Sequence, residues 1–481
     1  MNLRTSELFG LLVCLLVLGT SRTVCGQDND RGLSIDPVIA AYQPTANRII
    51  AAARAGNDSY LKLQELCDDI GNRLAGSAAL DQAVQWAVQS MQADNQENVR
   101  AESVTIQKWM RGKESCELIM PRPLKIDMLG LGGSVATPVA GITAEVIVVA
   151  DKNELDALSD KQIAGKIVVF NAAMPPYSEI AGSGYGQVVQ YRSNGASWAA
   201  ERGAVAALVR SVTAYSLASP HTGAMRYDAK FPKIPVAAIS VEAATLLSRW
   251  QQRGKKCVVK LSMEAADAGD APSANVLAEI VGSEFPEQIV LIGGHLDSWD
   301  VGHGAQDDGA GCVAAMEALN ILRRLNLRPK RTIRVVLWTN EENGTAGAKD
   351  YLARHQNEVH VAGIESDSGG FTPQGLSIEM EDEARQQVAV TQLAGVLDLL
   401  KPIGPMRVRT EYSGTDVGYL KMLGTACMGL SVDGRLYFNT HHTWADTVDK
   451  VNPQELTECA ITVAIAAYVI ADLPMQLGAG K

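Results

Sequence analysis

Carboxylates and imidazoles cluster in a few short blocks of this sequence. His295 and Asp297 stand two apart at the end of an apolar run, Asp307-Asp308 follow a short loop, and Glu341-Glu342 close a second run. Glu365 and Asp367 end a third, and His441-His442 precede Asp446 near the C-terminus. The chain has seven histidines, and four of them (His295, His303, His441, His442) fall in these loops. Imidazole nitrogens combined with carboxylate oxygens form the mixed donor set that Zn2+ favours. No GxSxG elbow offers a nucleophilic serine, and no HExxH pair offers a single-zinc helix.

Such residues can meet only if secondary structure brings the blocks together. From Ala274 onward, strands are expected at 289–293, 332–338, 359–364 and 426–431, with helices at 309–325, 346–355, 384–400 and 453–473. This alternation predicts an α/β fold, a mostly parallel or mixed sheet with helices on both faces. In that architecture functional residues gather at the C-terminal ends of strands, where the blocks fall. Asn452 as N-cap, Pro453 at N1 and Glu455 at N3 start the last helix. Upstream, 79–92 reads as helix and 104–110 as extended.

Between 123 and 265 the texture changes. Short strands at 144–149, 166–171, 204–209, 234–239 and 257–261, with helices at 193–202 and 241–251, predict an inserted β/α domain. The expected organisation is residues 1–26 as a leader, 27–122 and 266–481 as a divided catalytic domain, and 123–265 as the insert. The run GSGYG at 182–186 does not fit GxGxxG and reads as a flexible loop.

The blocks GGHLDSWDVGHGAQDDGAG, WTNEENGTAG, ESDSGG and HHTWADT occur in order, and they resemble the motifs of the di-zinc aminopeptidase and glutamate carboxypeptidase superfamily. The resemblance covers nearly all of the chain beyond residue 26. It also makes 123–265, with SPHTG at 219–223, similar to a protease-associated domain. It implies two Zn2+ per chain, His295 and Asp367 on one, Glu342 and His442 on the other, and Asp307 bridging both. Glu341 would be the general base acting on a metal-bridged water, and Asp297 would orient the His295 imidazole. His442 takes the ligand place by its spacing to Asp446-Thr447, while His441 either stabilises an oxyanion or packs. Alternation puts Glu365 and Asp367 on one face, and only the resemblance selects Asp367. Ser413, Gly414, Thr415 and Asp416 resemble a substrate-contacting loop, or form a turn and N-cap. The resemblance further implies an Asp307–Asp308 cis peptide bond and a homodimer. The expected activity is hydrolysis of small peptides, dipeptides with free termini first. A broader aminopeptidase is the alternative, and a receptor-like scaffold would have lost ligands that are all present here.

Composition sets the remaining bounds. The 481 residues suffice for one large and one smaller domain. A net charge of −11 lacks the basic footprint of nucleic-acid binding. Arg4, the apolar run 11–18 and Val24-Cys25-Gly26 have the form of a cleaved signal peptide, which implies a secreted or periplasmic protein. Lipidation of Cys25 is the weaker reading, because Thr23-Val24 makes a poor lipobox. No membrane span is expected: the apolar run 459–473 is short of the ~18 residues a span needs. Six cysteines follow the leader; their pairing stays open, and Cys312 reads as core.

Overall fold

The computed structural model describes residues 37–56, 58–179 and 181–479. The expected leader, with Cys25, lies outside the described residues.

The strand Phe285–His295 sets the architecture. Ile289 and Leu291 face one apolar cluster with Trp338, Tyr351 and Val417, while Val290 and Ile292 face another that includes the helices Ala310–Arg324 and Pro453–Asp472. Successive side chains point to opposite faces, so a strand covered on both sides reads as a continuous apolar run. Eight strands make this sheet, in the spatial order Glu97–Met110, Ala266–Ile280, Arg331–Trp338, Phe285–His295, Val359–Glu365, Ala426–Val432, Pro373–Glu379, Arg407–Arg409. Arg331–Trp338 through Ala426–Val432 run parallel, and the antiparallel strands lie toward the edges. The sheet is therefore mixed, as the alternation predicts.

Register brings the strand ends level. His295 lies beside Trp338, and Gly293 lies beside Glu365, which pairs with Gly429. Gly294 permits a close approach: a Cβ there would collide with the Asp308 carboxylate and the Ser366 carbonyl.

The second sheet draws its strands from Glu114–Met120 to Val258–Met263, starting upstream of residue 123. The helices Tyr185–Glu201 and Val241–Gln252 pack on it. Trp299 and Val301, from the loop after His295, join its core, and Trp299 stacks edge-on to Trp109. The GSGYG loop expectation needs correcting: Gly184 is the N-cap of a helix that begins at Tyr185, eight residues before the expected start.

Helix Pro453–Asp472 starts as expected, the Asn452 side chain accepting from the amides of Gln454 and Glu455. It is the one helix among the described residues long and apolar enough to cross a membrane, but 89% of its apolar window is buried in the fold. Cys67, Cys116, Cys257, Cys312, Cys427 and Cys459 are all free and buried.

Candidate functional site

The two imidazoles are aimed by carbonyl oxygens. His295 Nδ1 lies 2.9 Å from the Asp297 carbonyl, and His442 Nδ1 lies 3.1 Å from the Thr222 carbonyl. A carbonyl can only accept, so each Nδ1 carries the proton and each Nε2 presents its lone pair. Both lone pairs face carboxylates. His295 Nε2 is 3.4 Å from Asp307 Oδ1 and 3.3 Å from Asp367 Oδ1. His442 Nε2 is 3.1 Å from Asp307 Oδ2 and 3.1 Å from Glu342 Oε2. The two oxygens of Asp307 thus face different imidazoles.

Asp307 is itself held from behind. The Asp446 carboxylate accepts the amides of Gln306 at 2.7 Å and Asp307 at 3.2 Å. Asp308 accepts from the His295 amide and the Gly311 amide, each at 3.0 Å, tying the strand end to the next helix. The Asp307–Asp308 peptide bond is cis, as expected. His442 sits at φ 62°, left-handed backbone that a non-glycine residue adopts only when held there. The hold is visible: the Thr222 amide donates to the His442 carbonyl at 3.1 Å while the His442 ring donates back.

This cluster carries more negative charge than its partners satisfy. Burial, then the Asp307 carboxylate, pushes Glu342 up to about 8. Burial alone would lower His442, but Glu342 and Asp307 outweigh it and raise the ring to about 10, so that the Nε2 lone pair takes a proton unless a cation takes its place. Asp307 Oδ2 and Glu342 Oε1 are buried with no hydrogen-bond donor. Lone-pair nitrogens converging with orphaned buried carboxylate oxygens are what a bound divalent cation would satisfy, so the residues present fit Zn2+. The ligand-type atoms group as Asp307, His441 and His442; as His295, Asp308 and Asp367; and as His295, Asp307 and Glu342. Asp308 already has an amide donor on each oxygen. His441 stacks on His442 with ring centroids 3.5 Å apart, and its Nε2 is 3.6 Å from Asp307 Oδ2.

The expected roles now acquire geometry. Glu341 lines a cleft of about 1090 Å3 together with Glu342, Asp307, Asp367, His441 and His442. The Asp297 carboxylate is 3.9 Å from His295 Nδ1; its main-chain carbonyl orients that ring instead, and the carboxylate accepts the amides of Glu341 and Glu342. Glu365 and Asp367 separate by partner: Glu365 accepts the amides of Thr415 at 3.1 Å and Val417 at 2.6 Å, leaving Asp367 to His295. Ser413, Gly414 and Thr415 line the cleft. Asp416 lies buried beneath them with neither carboxylate oxygen partnered, and its side chain does not cap the helix Val417–Leu423. His303 is partly buried, its amide donating to the Asp446 carbonyl.

Two arginines went unread in the sequence. Arg73 is fully buried and donates to the carbonyls of Leu296, Gly71, His303 and Gly304, clamping the loop beyond His295. Its only signal is a basic residue directly ahead of the small and apolar run 74–80. Arg192, from the helix Tyr185–Glu201, reaches the cleft from the second sheet.

Residues 275–467 match the model of peptidase family M28. Carboxypeptidase Q of Mus musculus is 42% identical over 479 residues, 98% of this chain and 99% of that protein. A solved peptidase M28 precursor from Shewanella amazonensis SB2B superposes with a TM-score of 0.86 at 35% identity, over 91% of this chain and 98% of that one. The zinc aminopeptidase BSAP of Bacillus subtilis shares the fold, with a TM-score of 0.63 at 18% identity over 88% and 96% of the two chains. The protein is therefore a metallopeptidase. The chain belongs to peptidase family M28, as a carboxypeptidase Q-like member.

Proposed function

We propose that this chain is an exported di-zinc exopeptidase that hydrolyses small peptides, dipeptides with free termini first among them. The observation that carries the reading is Asp307, whose two oxygens face His295 and His442 separately. One ion would then lie among His295, Asp307 and Asp367, and the other among His442, Asp307 and Glu342. When bound, the pair supplies Lewis-acid polarisation of the scissile carbonyl and lowers the pKa of the attacking water.

The chain's residues supply the rest. Glu341, beside Glu342 and facing the cleft, takes the proton from the attacking water and passes it to the leaving amine. Asp297 fixes the turn that carries both glutamates. His441, stacked on His442, donates to the developing oxyanion. Ser413, Gly414 and Thr415, held by Glu365, contact the substrate.

Residues 123–265 act as a protease-associated domain that walls the cleft and limits substrate length. Tyr177, Ser183, Tyr185, Arg192 and Met225 from this stretch line the cleft with Glu341, which supports the reading. A homodimer, and export by the 1–26 leader to the cell exterior or periplasm, complete the proposal. Metal analysis of the zinc-loaded protein alongside dipeptide and tripeptide hydrolysis tests it. Two zinc ions per chain, activity lost on chelation and regained with Zn2+, and a dipeptide preference are expected. One ion per chain, or equal tripeptide rates, would overturn the respective part.

A further inference from the structure

We infer that the pair Arg409 and Glu411 is a specificity element for the N-terminal residue of the substrate, selecting a side chain that ends in a carboxamide. The inference rests on the peptidase reading above and names its substrate class: small peptides that begin with asparagine or glutamine.

Arg409 and Glu411 both line the cleft, together with Gln374 and Ser431. Arg409 Nη1 stands 3.6 Å from Glu411 Oε1, too far for a hydrogen bond, and the two side chains are 33% and 53% exposed. Among the described residues neither side chain makes a hydrogen bond, and those of Gln374 and Ser431 make none either. Two other arginines of the chain close on an acid at the same spacing of two residues. Arg100 Nε donates to Glu102 at 2.8 Å, and Arg435 Nε donates to the two Asp433 oxygens at 2.8 and 3.0 Å. Arg409 and Glu411 instead keep their donors and acceptors open to a third group.

Register fixes where the pair lies. Glu365 pairs with Gly429, Gly429 with Ser377, and Ser377 with Arg409, one row across four neighbouring strands. At ~4.8 Å per strand, Arg409 stands about 14 Å from Glu365. The loop between them is laid flat on that row. The Ser377 hydroxyl donates to the Tyr412 carbonyl at 2.8 Å, a Cβ on Gly429 would meet the Ser413 carbonyl, and Glu365 accepts the Thr415 amide. The inner end of the loop meets Glu365, two residues before Asp367, and its outer end carries the pair.

Charge orients the substrate along this loop. A free amino terminus is cationic, and Glu341, Glu365 and Asp367 make the inner end acidic, whereas the second-sheet wall of the cleft brings Arg192 and Arg226 and no acid. The N-terminal residue therefore sits at the inner end, its side chain directed along the loop toward Arg409 and Glu411. The pair then narrows the side chain. A carboxamide oxygen accepts from the guanidinium while its NH2 donates to the carboxylate, and no net charge is brought in. A carboxylate side chain would meet Glu411 as well as Arg409, and an ammonium would meet the reverse conflict. An aliphatic side chain would strip water from both groups and replace none of its hydrogen bonds.

The test uses two near-isosteric sets of dipeptides with the zinc-loaded enzyme: Asn-Ala, Asp-Ala and Leu-Ala, then Gln-Ala, Glu-Ala and Met-Ala. In the wild type the amide is expected to lead at least one set by roughly 5–30-fold in kcat/KM, the scale of a charge-assisted contact made at a half-exposed site. In Glu411→Gln the conflict with acids disappears, so the acid of that set should gain on the amide and overtake it, with zinc content unchanged. In Arg409→Met the lead of the amide should fall toward one. A wild type in which the acid or the aliphatic member leads both sets, or in which all members run level, overturns the inference and leaves the peptidase reading intact. An amide lead that both variants preserve overturns it equally. No hydrolysis of any of the six by the zinc-loaded wild type overturns both.

Discussion

The carboxylate of Asp297 accepts the backbone amide of Glu341 at 3.0 Å, across 44 positions of sequence. It takes the Glu342 amide as well, at 3.3 Å, so a residue at the end of one strand sets the turn at the end of its neighbour. Replacing Asp297 by Asn leaves one acceptor oxygen and turns an NH2 toward an N–H. We expect kcat/KM for a dipeptide to fall roughly 10–100-fold. Unchanged kinetics in Asp297→Asn would show that this turn holds its shape without the carboxylate.

The two glutamates on that turn should respond differently to loss of charge. Glu341→Gln is expected to keep both zinc ions and lose turnover by roughly 10²–10⁴-fold, the scale of a missing general base. Glu342→Gln should bind less zinc, visible by metal analysis before any assay. Near-normal turnover in Glu341→Gln would remove the proposed base.

The blocks that carry the proposed ligands were legible because strand ends in a parallel sheet concentrate polar residues, and their types stood out against apolar runs. Strand Ala266–Ile280 was not, since Asp267, Gly269, Asp270 and Pro272 disfavour strands and only pairing with Glu97–Met110 enforces one. Sequence could not separate Glu365 from Asp367 either, as both face one way; the amides of Thr415 and Val417 make that choice. Arg73 owes its role chiefly to the carbonyls of Leu296, His303 and Gly304, more than 220 positions away, which no local pattern encodes.

Chain length should matter to the cleft. With the second-sheet region walling it, a dipeptide is expected to be cleaved much faster than a pentapeptide sharing its first two residues. Tyr177→Ala should raise pentapeptide cleavage relative to dipeptide cleavage. Equal rates on both lengths in the intact protein would sink the filter and leave the metal chemistry untouched.

Away from the cleft, His355 links stability to pH. Its Nε2 lies 2.9 Å from Glu102 and its Nδ1 3.1 Å from Glu358. Burial alone would lower its pKa, but the two carboxylates outweigh that and raise it above the ordinary 6.5. Burial alone would raise Glu102 and Glu358, yet both are pulled down to about 2, with His355 the leading cause. The imidazolium's contribution is complete below pH 6.5 and fades as pH rises through its raised folded value. The carboxylates' contribution is complete above 4.5 and fades as pH falls toward about 2. His355→Gln should therefore lower Tm most between these limits, by an amount reflecting roughly 1.5–3 kcal/mol, and less at alkaline pH. A Tm deficit that stays level from acid to alkaline pH would argue against a charged His355.

The reciprocal bonds between Thr222 and His442 bear on how this protein can be dissected. One half of the clasp belongs to the stretch that carries none of the proposed ligands, so the tautomer of a proposed ligand histidine depends on it. Excising 123–265 to obtain a minimal enzyme would free the His442 ring to rotate and release its left-handed backbone. The smaller protein would forfeit affinity at one metal position, so grafting or trimming experiments on this scaffold must carry the Thr222 carbonyl with them.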